Sequence, residues 1–497
     1  MAGNESERIE KCDAGNGVAS ACGSTVKLKR ELGLFSAVNL ILGVMIGSGI
    51  FVSPSSAFEH SGSVALCLIV WTISGIISLL GALSFAELGT VVGKSGAEYS
   101  YFQEAFGNTH RFWGPLPSFM CAWIYVIILR PAEVAVVVMT FAQYAIQPFT
   151  PNLSPDDKDW PIKLASLAAL CLMTYINITS VKLFVKVQNV FGVCKVFACL
   201  IVIGGGIYEI AKGNTEHLNK GFEGSSWNPG SISLALFSGL WAYDGWNSVT
   251  VVTEEIINPG VNVPLSILIA VPLITGIYVF MNVAYMTVLS YAEMTSVPAV
   301  AVVFGARVLG PASFLIPLGV AIATFGCAMS VQFGVSRVCY TAARGGHMLE
   351  VFSYVNMKRL TPAPAVAFQA ILTSIFILVG NIETLIIFAS WFLWFFYGLA
   401  MVALLVLRKT QATKPRPYRV PTPVPCFVLL VAIFLSIVPI VHDPSLKYLM
   451  AIGFLVIGTV VYTVFVYYKK TPTAILRKFT FLTQVLFESV PPSDRQD

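Results

Sequence analysis

A chain of 497 residues that is 56% hydrophobic and only 11% charged, with a mean hydropathy of +0.76, holds more apolar surface than a soluble fold of its size can hide. These figures exclude an ordinary soluble enzyme and predict an all-α polytopic membrane protein. The formal charge of +5 does not point to nucleic acid, because the basic residues lie in connections and chain ends, where they report topology.

Residues 1–30 are polar and mixed in charge, from Glu5, Glu7 and Arg8 to Lys27, Lys29 and Arg30. They carry no apolar core with a small-residue cleavage site, so they read as a disordered cytosolic tail, not a signal peptide. Apolar runs able to cross roughly 30 Å of hydrocarbon begin near residues 34, 64, 116, 162, 184, 231, 265, 312, 364, 383, 424 and 446. They predict about twelve transmembrane helices within a transporter domain over residues 31–468.

The first run contains Met45-Ile46-Gly47-Ser48-Gly49-Ile50-Phe51. Two glycines around a serine weaken the helical ladder there. Inside a bilayer, non-helical backbone is tolerated only in protein or beside a water-filled cavity. A second half-helix starting near Ser48 would aim free amides at that cavity, a place for a substrate carboxylate. Carbonyls near Met45 and Ile46, with those of Trp241 and Ala242, would suit an α-ammonium group. The alternative is helix packing through small residues.

Glu87, near one end of the second run, reads as a structural cap for neighbouring helix ends. In the third run Arg130-Pro131 and Glu133 share one helical face, which predicts a local ion pair and a kink at Pro131. Lys195 lies within the fifth run, where a lone ammonium needs carbonyls or a carboxylate around it; it would tie the first half-helix to the eighth span. A lysine reaching for an interface is the alternative.

The sixth run is interrupted at Trp241-Ala242-Tyr243-Asp244-Gly245-Trp246-Asn247. Paired interruptions in the two halves of a chain point to a transporter binding site. Here the halves would be inverted repeats over approximately 34–207 and 231–406, with extra helices at 424–441 and 446–468. Asp244 is a charge where charge is expensive, so it is a functional candidate able to accept a cationic side chain. The competing reading is a structural carboxylate held by local amides or by Arg130.

Lys94 and Arg111, Lys182 and Lys186, Arg344, Lys358 and Arg359, and Arg408 to Arg419 fall in alternate connections. With Lys469, Lys470, Arg477 and Lys478 after the last run, they put both termini in the cytosol. The tail, 469–497, holds Ile475, Leu476, Phe479, Leu482, Val485 and Leu486 at roughly helical spacing, suited to the membrane surface or the cytosolic face. The ten cysteines lack metal-finger spacing, and neither structural disulfides nor metals nor cofactors are expected. No hydrolase, zinc-protease or nucleotide-binding motif occurs, so the protein is not expected to be an enzyme.

Several stretches together resemble the L-type amino-acid transporters, the light subunits of heteromeric transporters in the amino acid, polyamine and organocation superfamily. They are Gly47-Ser48-Gly49-Ile50-Phe51-Val52-Ser53-Pro54, Phe85-Ala86-Glu87-Leu88-Gly89-Thr90, Thr253-Glu254-Glu255 with Asn258-Pro259, and Gly346-His347-Met348 with Leu360-Thr361-Pro362-Ala363-Pro364. The stretch 241–247 looks most like the b-zero-plus type, which exchanges dibasic amino acids and cystine for neutral ones.

The resemblance implies a LeuT-type fold of five plus five inverted helices, broken in the first and sixth, with two helices added. By it, Gly47, Ser48, Gly49 and Ile50 would bind the carboxylate, Ile46, Trp241 and Ala242 the amino group, and Asp244 a cationic side chain. Asn247 belongs to the same stretch, Trp241 would be the gate, and Lys195 would replace a sodium ion.

The sequence departs from the family at Leu153, where a cysteine bonded to a single-span glycoprotein heavy chain is expected. A heavy chain would then associate without a disulfide. Asn152-Leu153-Ser154 is instead a glycosylation sequon. The eighth span departs too, with Ala323, Cys327, Met329 and Gln332 where relatives carry small hydroxyl, glycine or asparagine residues.

The expectation is a sodium-independent plasma-membrane exchanger of cationic and neutral amino acids, with cystine a further candidate. One alternative is a neutral amino-acid exchanger with Asp244 structural. Another, from a different class, is an amino-acid sensor without net transport.

Overall fold

The first apolar run folds as two helices, α1 (Leu34–Met45) and α2 (Gly49–Ser61), bent by 51° at the break between them. This is seen in a computed structural model that describes residues 32–491 apart from 95, 147–154, 254–255, 298, 360, 381, 443–445 and 471–472. The tail 1–30, the sequon at Asn152 and the Leu153 position lie outside the described residues.

The chain continues through α3 (Val64–Val92), a short α4 (Glu98–Phe106), α5 (Leu116–Ile146), α6 (Pro155–Thr179) and α7 (Val181–Ala211). The second interrupted segment is α8 (Pro229–Ala242), a turn, and the four-residue α9 (Ser248–Val251). Then come α10 (Pro259–Val288), α11 (Leu315–Arg344), α12 (Ala363–Val379), α13 (Ile382–Thr410), α14 (Pro423–His442), α15 (Leu446–Val461) and α16 (Thr473–Phe487). Each of the twelve expected apolar runs lies in a helix. Among the described residues nine helices are long and apolar enough to cross a membrane, and the bent α1–α2 pair makes a tenth span if counted as one. The protein is therefore a polytopic helical membrane protein.

Both breaks have local causes. Ile46 to Ser48 leave the helical ladder, and Gly245 adopts φ +104°, a left-handed conformation costly for any other residue, where α8 gives way to α9. In α5 the proline predicted as a kink acts one turn earlier. Pro131 has no N–H to give, and the Arg130 amide reaches back five residues to Tyr125 O, forming a π-helical turn over Tyr125–Leu129.

The last described residues after α16 are held by backbone pairing. After α16, Ser489–Val490 pair antiparallel with Val355–Asn356, and the Asn356 side chain donates to Phe487 O at 2.7 Å. The apolar stripe of α16 is only partly covered, with Leu482 and Leu486 exposed.

Glu87, fully buried on α3, holds three elements at one end of the bundle. Its carboxylate accepts from Arg408 Nε at 2.9 Å and Nη2 at 2.5 Å, from Arg416 Nη1 at 3.1 Å and from the Val420 amide at 2.9 Å. In Glu87→Gln an amide would turn N–H donors toward two guanidinium groups. Removing one side of such a network costs about 1–3 kcal/mol, so the unfolding midpoint of the purified variant in detergent should fall, and an unchanged midpoint would refute the role.

Candidate functional site

Three consecutive carbonyls at the end of α1 are satisfied by three different helices. Gly43 O accepts from Lys195 Nζ of α7 at 2.5 Å, Val44 O from the Cys327 thiol of α11 at 3.2 Å, and Met45 O from the Tyr278 hydroxyl of α10 at 2.6 Å. A helix end buried in apolar surroundings needs such partners for its last carbonyls. The ladder stops here because the chain turns at Gly47, whose amide bonds back to Met45 O.

On the other side of the break α2 begins. Gly49 and Ile50, its first two residues, have amides that no carbonyl of their own helix can reach, while the Phe51 amide already turns to Ser48 O at 3.0 Å. The positive end of a helix dipole thus sits beside the turn.

A cavity of about 20 Å³ lies between the two breaks, lined by Gly47, Ser48 and Gly49, by Trp241, Ala242 and Asp244, and by Glu133 and Cys327 among others. That volume holds about one water molecule. Anything larger than a water enters only if the half-helices separate, so this is a closed arrangement of the two breaks.

Trp241, 7% exposed, covers the cavity at the end of α8. The Asp244 carboxylate reaches it from the turn, but it already has partners. It accepts from the Tyr397 hydroxyl of α13 at 2.5 Å and lies 3.3 Å from Arg130 Nη1. The same Arg130 nitrogen sits 2.5 Å from Glu133 Oε2, which is the local ion pair expected from the sequence.

Other expected residues lie elsewhere. Ile46 and Ile50 are fully buried and do not line the cavity. Asn247 points away from it, donating to Glu98 Oε1 at 2.8 Å, and Tyr125 donates to the same oxygen at 3.3 Å. Burial raises the Glu98 carboxyl above its ordinary pKa, against the pull of Arg130 and the Asn247 bond.

Two of the carbonyls expected to take an ammonium group are occupied. Met45 O holds the Tyr278 hydroxyl, and Trp241 O accepts the Asp244 amide at 3.2 Å. Those of Ile46 and Ala242 remain as open acceptors at the breaks among the described residues.

Lys195 is fully buried, and its stem passes so close to α11 that a Cβ on Gly326 would lie 3.3 Å from Cε. Gln188 supports this contact, donating to Gly326 O at 2.5 Å and bonding Ser330. The lysine therefore stands between α1 and α11, where the fifth-run charge was expected.

Glu133 was expected only as an ion-pair partner, yet it lines the cavity with Asp244. Its signal in the sequence was the Arg130–Glu133 spacing, which places both on one face without saying what that face meets. Cys327 was noted only as a departure, and it is the side chain nearest to Gly47.

Residues 32–466 match the family model described as amino acid permease. The chain is 41% identical over 471 residues to the b(0,+)-type amino acid transporter 1 of Homo sapiens, covering 95% of each chain. It is 36% identical to the human cystine/glutamate transporter over 95% of this chain and 92% of the relative. It is 37% identical to the large neutral amino acids transporter small subunit 2 of Mus musculus, over 96% and 89%.

Proposed function

The chain belongs to the amino acid permease family, and we propose that within it the protein is a sodium-independent exchanger of cationic and neutral amino acids. The relatives are transporters, so the protein is a membrane transporter of amino acids, not an enzyme. The reading of exchange between cationic and neutral substrates rests on one observation. The cavity between the two helix breaks has helix-start amides on one wall and the Asp244 carboxylate on another.

In this reading the α-carboxylate docks on the amides of Ser48 and Gly49 and the α-ammonium on Ala242 O, with Ile46 O, outside the closed cavity, joining once the break opens. The side chain then extends toward Asp244, beneath Trp241. Opening the α1–α2 and α8–α9 breaks first to one side and then to the other would carry substrate across, within a LeuT-type arrangement of twelve spans with both termini cytosolic. Lys195 would stand in for a sodium ion.

Proteoliposomes containing this chain alone should take up labelled arginine without sodium, and only when preloaded with leucine. Arginine uptake equal in empty and loaded vesicles would refute exchange. Asp244→Gly should lower the arginine-to-leucine uptake ratio by about tenfold, the value of one charge-assisted hydrogen bond.

A second reading has support of its own. Because Asp244 is paired with both Arg130 and Tyr397, a neutral amino-acid exchanger with a structural aspartate would use the same site. Leucine uptake without arginine uptake would establish it. One relative's name describes a small subunit, and a single-span heavy chain held without a disulfide fits Leu153. On a plasma-membrane preparation, a high-mass adduct lost on reduction would overturn that.

A further inference from the structure

We infer that Arg130 is a tethered counter-ion that lets one site accept both neutral and cationic side chains; this rests on the exchanger reading above. Three charges meet at the cavity wall. Glu133 and Asp244 both line it, whereas Arg130 does not. The guanidinium lies behind the two carboxylates, with Nη1 at 2.5 Å from Glu133 Oε2 and 3.3 Å from Asp244 Oδ2, and 5.2 Å from the centre of the Tyr125 ring. The three side chains are 13%, 8% and 9% exposed, so little water screens them.

With both carboxyls ionised, one guanidinium leaves a net charge of −1. One cation shared between two acids is a compromise, and the distances show which acid it favours. Glu133 has the short contact, and Asp244 completes its own bonding with a neutral hydroxyl, Tyr397 Oη at 2.5 Å.

When a neutral side chain fills the cavity, Arg130 stays across both carboxylates, and no acid faces an apolar group unpaired. When an ammonium or guanidinium arrives, it takes Asp244, and Arg130 settles on Glu133. The pair then carries two cations for two acids. Arg130 thus competes with a cationic substrate while removing the penalty for a neutral one.

The shift this requires is small, because one nitrogen, Arg130 Nη1, already lies 2.5 Å from Glu133 Oε2 and 3.3 Å from Asp244 Oδ2.

The two neighbours on one helix face should shift selectivity in opposite directions. Arg130→Met leaves two acids without an internal cation, so leucine transport should fall by at least about tenfold and the arginine-to-leucine ratio should rise. Glu133→Gln releases Arg130 to pair fully with Asp244, and the ratio should fall by about tenfold. Arg130→Lys keeps the charge and should stay closer to the parent ratio than Arg130→Met.

Uptake of both substrates is measured in the same vesicles, normalised to reconstituted protein. A merely structural role would lower both substrates together, and ratios unmoved, or moved in one direction by both variants, overturn the proposal. If Arg130→Met fails to fold, the Glu133→Gln ratio decides alone. A parent protein that transports only one class overturns the exchanger reading itself, and this inference with it.

Discussion

Gly49→Ala is expected to abolish transport while leaving the protein in the membrane. An alanine Cβ there would lie 2.8 Å from Ala242 Cβ and 3.1 Å from Ala242 N, and nearer still to Ala242 Cα. These atoms belong to the end of α8, and backbone cannot rotate aside as a flexible side chain can. The two half-helices must move apart, at an overpacking cost of roughly 1–3 kcal/mol.

The displacement falls on the wall of a cavity that holds only about one water. In the proposed site, the amides and carbonyls that would hold the two ends of one substrate then miss by a large fraction of an ångström. A shift of that order at a positioned site costs about a hundredfold in rate.

Two comparisons make the expectation specific. Gly47→Ala meets the Cys327 thiol at 2.6 Å, a side chain that can turn, so it should lose less. Gly453→Ala meets nothing within 4 Å and should transport like the parent. Uptake per surface-labelled molecule is the measurement, and Gly49→Ala uptake within threefold of Gly453→Ala would show that the break tolerates a Cβ.

The same contact shows what could be read in advance. A Gly-Ser-Gly triplet inside an apolar run marks an interruption because its cause is local, and Pro131 marks an irregular turn for the same reason. Helical spacing also placed Arg130 beside Glu133. It offered the pairing of Arg130 with Asp244, 114 residues away, only as an alternative, because that contact depends on how α5 packs against the turn after α8.

Asn247 shows the opposite failure. It stands in the same seven-residue stretch as Trp241 and Asp244, but the turn at Gly245 rotates it toward Glu98 on α4. A stretch that has left the helix no longer has a predictable face. The partners of Glu87 were equally hidden: a buried carboxylate demands counter-ions, and α13 and the loop after it supply them from more than 300 residues away.

Lys195→Met should reduce uptake at least about tenfold without lowering the amount of protein at the surface. Methionine follows the path of the lysine stem and keeps its packing, so α7 still fits against α11. What disappears is the donor for Gly43 O, the first of the three carbonyls that α7, α11 and α10 satisfy at the end of α1.

A buried carbonyl left without its partner costs about 1–3 kcal/mol. Removing the ammonium also removes the cost of burying it, so the two effects offset each other in overall stability. In the proposed alternating-access cycle transport is affected differently, because there α1 leaves this position and returns to it. Without the ammonium, nothing charged draws the helix end back, and the closed arrangement is populated less. Lys195→Arg should not restore uptake, since the stem passes close to Gly326 and a planar guanidinium is broader than the ammonium that bonds Gly43 O. Parent-level uptake in Lys195→Met would mean that the Cys327 and Tyr278 contacts hold the end of α1 by themselves.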